Sequence, residues 1–61
     1  MVTYDIKQEA RKAITAEVKL QRCYREMSSR ANNPKVRAVL QDLLLMEEMN
    51  EVLLRSLNQN L

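Results

Sequence analysis

A single interruption, Ala31-Asn32-Asn33-Pro34, divides a chain of 61 residues that has no glycine and no other proline. The segments on either side are rich in Ala, Leu, Met, Glu, Gln, Lys and Arg, the residues that lose least on entering a helix. The break itself has the chemistry of a helix–helix turn. Asn32 tolerates the left-handed backbone that closes many helices. Asn33 is a good N-cap, and Pro34 suits the first helical position, where its missing N–H is not needed. Thr3 offers an N-cap oxygen to the first helix, with Asp5 near the positive end of that helix's dipole. The chain therefore reads as one all-α domain over residues 1–61, with helix one about 4–31, a turn at 32–33 and helix two about 34–58. So short a turn forces the two helices to lie antiparallel and adjacent.

A hairpin of this size cannot bury enough apolar surface to stand alone, and small scaffolds rely on disulfides, metals or oligomerisation. Cys23 is the only cysteine, which excludes a disulfide within the chain and fits a reducing compartment. There is no histidine, so the Cys/His zinc patterns are excluded as well. Oligomerisation, a carboxylate-bound metal, or both remain. The start, Met1 to Lys7, lacks the apolar run of a signal peptide, and nothing reaches the roughly 20 apolar residues of a membrane span. A cytoplasmic protein with no membrane partner is the expectation.

Charge is unevenly divided. Residues 1–37 hold nine Lys/Arg against four Asp/Glu (+5), while residues 38–61 hold Arg55 against Asp42, Glu47, Glu48 and Glu51 (−3). Helices of opposite sign complement each other when packed side by side. A nucleic-acid surface would need a basic face with aromatic or groove-reading residues, and none is present, so no nucleic-acid partner is expected.

Helical spacing picks out the inward stripes. On helix one they are Ile6, Ala10, Ala13, Glu17, Leu20, Tyr24, Met27 and Ala31. On helix two they are Val36, Leu40, Leu43, Glu47, Asn50, Leu54, Leu57 and Leu61. Both are core-forming apolar stripes, broken at mid-length by Glu17, Glu47 and Asn50. At 1.5 Å per residue Glu17 lies ~22 Å from the turn and Glu47 ~21 Å, so one hairpin should bring the three polar residues to one level. Leu45, Met49 and Val52 form a second apolar face, pointing away from Glu47 with Ala38 and Leu44 nearby. That face predicts a second contact surface and an assembly larger than a dimer.

Unpaired carboxylates are costly to bury and must be neutralised, hydrogen-bonded or bound to a cation. A two-fold pair of hairpins would set four glutamates and two asparagines around one axis, as in bundles that hold metals in their cores. Plainer roles are equally open to each residue. Asn50 can set register as a buried core asparagine. Glu17 and Glu47 can lean to the edge and pair with Arg or Lys. Tyr24 can be a core aromatic, and Met27, Met46, Met49 and Cys23 ordinary apolar filling.

Glu17 with Tyr24 seven residues on, the short turn, and then Met46-Glu47-Glu48-Met49-Asn50-Glu51 resemble half of a ferritin-like bundle of the rubrerythrin and encapsulated-ferritin type. The likeness covers about residues 6–57 and rests on few positions. It implies a two-helix hairpin that dimerises into a four-helix bundle. It also implies a metal layer in which Glu17 matches the first-helix ligand, Glu47 the glutamate of a Glu-x-x-His motif, and Tyr24 a neighbouring tyrosine. In that family the layer binds two irons and oxidises ferrous iron or reduces peroxide. Here Asn50 stands where the family has histidine. The remaining donors are all oxygens, a set that favours Mg²⁺, Mn²⁺ or Ca²⁺ over a redox iron pair.

Three functions follow as expectations. The first is a self-assembling ferritin-like hairpin with an altered carboxylate layer, holding a divalent metal (Fe, Mn or Ca) at a dimer interface. The second is a metal-free interaction module that docks on another protein's helices. The third is an active di-iron ferroxidase or peroxidase. No nucleophile–base pair, phosphate-cradling glycine loop or catalytic triad can be built from this composition, which removes hydrolases and nucleotide-binding proteins.

Overall fold

The structure, a computed structural model, describes residues 4–61. It is an antiparallel pair of helices, α1 (Ile6–Arg30) and α2 (Pro34–Gln59), of 25 and 26 residues. The N-terminal cap differs from the sequence expectation. Asp5 takes the extended backbone of an N-cap, and its side chain accepts a hydrogen bond from the Gln8 N–H at 3.3 Å. Thr3, the expected cap, lies outside the described residues.

The turn also closes differently from the expectation. No described residue has a positive φ, so Asn32 does not close α1 through a left-handed conformation. The chain leaves α1 at Ala31 in an extended conformation (φ −74°, ψ 130°), with the Ala31 N–H still bonded to the Met27 carbonyl. Asn33 is extended too (φ −86°, ψ 122°), because the ring of Pro34 bars helical geometry from the residue before it. Its side-chain oxygen then caps α2 as expected, accepting from the N–H groups of Lys35 and Val36 at 2.8 and 3.4 Å.

The hairpin measures 51 × 21 × 12 Å, so its thinnest dimension is one helix diameter. Its radius of gyration is 14.7 Å, against ~10.5 Å for a compact chain of this length. It exposes 5083 Å², against ~4100 Å² for a compact monomer of its mass. Among the described residues only Ala10, Leu40 and Gln21 are buried, each 5 % exposed, and no large side chain is fully enclosed. Two apolar residues and a glutamine do not make a core that can hold a domain together. The excess surface is of the order of the ~800 Å² that each partner loses in a standard interface.

The seam between the helices is rotated relative to the predicted stripes. Ala10, Ile14, Glu17, Val18, Gln21, Tyr24 and Ser28 on α1 are buried or half-buried, as are Leu40, Leu43, Leu44, Glu47, Glu51, Leu54 and Asn58 on α2. Ile6, Leu20, Met27, Val36, Leu57 and Leu61, all predicted inward, are exposed by 39 to 53 %. The most apolar arc of each helix therefore flanks the seam rather than filling it.

Candidate functional site

Seam residues leave the hairpin with two unlike broad faces. A shallow groove of about 400 Å³ on one face is lined by Ala13 and Glu17 from α1 and by Asn50, Leu53, Leu54 and Leu57 from α2. The helical positions of Leu20, Met27, Val39 and Met46 put them on the same side, and all four are exposed. The opposite face carries a groove lined by Arg25, Ser28, Ser29, Arg37, Gln41 and Leu44. One face is thus apolar with a carboxylate and an amide at mid-length; the other is polar and basic.

At the centre of the seam lies a residue that the apolar stripes had passed over. Gln21 Nε2 donates to Glu51 Oε1 at 2.7 Å and approaches the Glu47 carbonyl oxygen at 3.4 Å. Glu51 Oε2 accepts from Arg55 Nε at 2.7 Å. The bond from Gln21, then that from Arg55, holds the Glu51 carboxyl below the usual range for a glutamate. The available signal was spacing: Gln21 follows Glu17 by four residues, and Glu51 follows Glu47 by four, so each pair shares a helix face.

This clasp also fixes where the expected site residues stand. Glu47 and Glu51 lie opposite Gln21, while Glu17, one turn earlier on α1, shares its groove with Asn50 and Leu54. Glu17 and Glu47 are both half-buried, and the Oε2 atom of each is shielded from solvent with no hydrogen-bond partner. The Oδ1 atom of Asn58, near the open end of the seam, is in the same condition. Asn50, expected to face inward, is exposed on the open face. Tyr24 is half-buried in the seam.

Among the described residues no three carboxylate, thiol or imidazole groups come together as a metal site within one hairpin. Comparison with protein families, curated proteins and solved structures finds no match.

Charge complementarity across the seam is slight. Arg25 to Glu48, at 3.2 Å and exposed, is the one ion pair between the helices among the described residues. The others, Lys12–Glu9, Arg30–Glu26 and Arg55–Glu51, lie within a helix. Cys23 is exposed, with its sulfur 3.8 Å from that of Met27. No helix among the described residues is long and apolar enough to cross a membrane.

Proposed function

We propose that this chain is a self-assembling hairpin of ferritin-like type. Two copies close their apolar faces into a four-helix bundle whose middle layer binds a divalent cation. The observation that carries the reading is the pair of carboxylate oxygens, Glu17 Oε2 and Glu47 Oε2, shielded from water and unpartnered, the first on a residue that lines the groove of the uncovered apolar face and the second on a residue in the adjoining seam. A shielded anionic oxygen is costly until a cation or a donor meets it. One hairpin supplies two such carboxylates. A two-fold pair supplies four, with the two Asn50 amides carried on the faces that meet.

The donors fit a hard, oxygen-seeking ion such as Mn²⁺ or Ca²⁺, held by carboxylates from both copies. They do not fit the nitrogen-containing set of a redox iron pair, because the chain has no imidazole and Asn50 offers only an amide. This favours cation binding over ferroxidase or peroxidase chemistry. The second reading, an interaction module that lays its open face on another protein's helices, draws on the same exposed leucines and needs no metal.

The test is native mass together with elemental analysis after equilibration with Mn²⁺, Ca²⁺ or Fe²⁺ and desalting. Two copies retaining a cation that is lost in the Glu17→Ala, Glu47→Ala double variant is the expected result. A pair that retains no cation would remove the metal from the proposal. A chain that stays single and poorly helical would favour the interaction module.

A further inference from the structure

The open face does not account for all of the uncovered apolar surface. On the far side of α2 from the seam, Leu45, Met49 and Val52 are 63, 60 and 63 % exposed. Spaced by four and three residues, they form one stripe, with the small residues Ala38 and Ser56 at its ends. A copy covering the open face cannot reach this stripe, which points out along the hairpin's edge. The two surfaces are nevertheless continuous, because Leu45, Met46, Met49 and Asn50 line one apolar patch that runs round the helix.

We infer that this outer stripe of α2 is a second homotypic interface, in which the α2 helices of two copies pair antiparallel about a two-fold axis near Met49. The chemistry of the stripe selects the occupant. There is no lysine or arginine between Arg37 and Arg55, so the stripe offers an acidic partner no cation. The nearest charge on the face is Asp42, which disfavours an anionic lipid surface. The counterpart must be an uncharged apolar stripe of similar length. Among the described residues, apart from the face assigned to the bundle, the one such surface is the stripe itself. The outer side of α1 carries Arg11, Lys19 and Arg22, all exposed, and cannot serve.

Symmetry then sets the orientation. In a two-fold contact residue i meets j and j meets i, so Met49 faces its own copy and Leu45 faces Val52. An antiparallel pairing sets the helix dipoles head to tail and places the two Asp42 side chains ~21 Å apart along the axis, whereas a parallel pairing would oppose them directly. Three large side chains a side are few against the 20–30 residues of a standard interface, so this is the weaker of the two contacts. Combined with the bundle it gives assemblies of four or more copies that fall back to two on dilution.

The experiment is sedimentation of the full chain over a concentration series, with Met49→Lys and Leu53→Lys as variants and circular dichroism to confirm helicity. More than two copies at high concentration, with Met49→Lys halving the mass of a four-copy species and leaving helicity unchanged, is expected. Two copies that Met49→Lys leaves intact and Leu53→Lys separates would overturn the outer interface and keep the bundle. Two copies with the opposite response would keep the outer interface and overturn the bundle, and a single chain at every concentration would overturn both. The two-fold placement is checked with a Cys23→Ser background. Met49→Cys should cross-link to its own copy on mild oxidation, while Leu45→Cys, ~12 Å from its equivalent, should not. The reverse pattern, or no cross-link at either site, would overturn the antiparallel geometry.

Discussion

The two helices are nearly equal in length and contribute alternately to one seam, yet they treat solvent in opposite ways. α1 turns Arg11, Lys19 and Arg22 outward; α2 turns Leu45, Met49 and Val52 outward. Inside the seam they cannot be told apart by apolarity, since each gives it carboxylates or amides as well as aliphatic groups. Their difference lies in what they still have to bury. α1 is apolar along one flank and finished elsewhere. α2 exposes apolar residues on two sides, the open face and the side away from the seam, while Arg37, Gln41, Glu48 and Arg55 share one edge, Asp42 stands on the outer side, and Glu47, Glu51 and Asn58 turn to the seam. In the proposed assembly a helix apolar on two sides, like α2, would sit toward the centre and a helix like α1 toward the rim.

The largest effect expected from this contrast comes from charging each helix in turn. Leu53→Lys on the open face should cost about 3–5 kcal/mol of assembly free energy and lower both helicity and mass, since the new charge is buried without a partner. Arg22→Ala on the outer side of α1 should stay within ~0.5 kcal/mol. Equal losses from both, read by chemical denaturation, would erase the distinction between the helices. Next in size is the carboxylate layer. Replacing Glu17 and Glu47 together by leucine should stabilise the chelator-treated protein by roughly 1–4 kcal/mol, as when buried ionic groups give way to apolar ones. Added Mn²⁺ or Ca²⁺ should raise the melting temperature of the wild type and not of this variant. A double variant less stable than the chelated wild type would show that the glutamates support the fold without a cation.

Acid should probe the clasp. The folded state holds the Glu51 carboxyl below its ordinary value of 4.5, so its stabilisation is complete above that pH and is lost as pH falls through the lowered value. Thermal melts of the wild type should therefore weaken below about pH 4.5, and those of Gln21→Leu less steeply. Parallel pH profiles would mean that Gln21 does not tune Glu51. The smallest effect belongs to the exposed Arg25–Glu48 pair, where Arg25→Ala should cost about 0.2–1 kcal/mol and less in high salt.

The turn was legible because its residues each have one strong local preference: Pro34 begins a helix, Asn33 caps it, and the absence of glycine leaves nowhere else to break. The closing conformation was less legible, since the restraint that Pro34 places on Asn33 competes with the tolerance of Asn32 for a left-handed turn. Spacing placed Glu17 and Glu47 in the half-buried band. It misplaced Asn50, Leu20, Met27 and Leu57 because it centred each stripe on the most apolar positions. In this hairpin those positions flank the seam, and the seam itself is partly polar. Gln21 went unnoticed for that reason. A glutamine among lysines and leucines looks solvated until the carboxylate of Glu51 is found opposite it.

The 12 Å thickness of the hairpin has a kinetic consequence. No large side chain among the described residues is fully enclosed, so a lone copy has little to hold it folded; if the proposed assembly forms, productive folding would be a collision between chains, with a rate that rises with their number. Newly made chains would spend longer unfolded, and open to proteases, when few are present. Each tenfold fall in concentration weakens the assembled state by ~1.4 kcal/mol per association step. The level of synthesis would then set how much of the protein exists as structure at all, with scarcity itself acting as the off state.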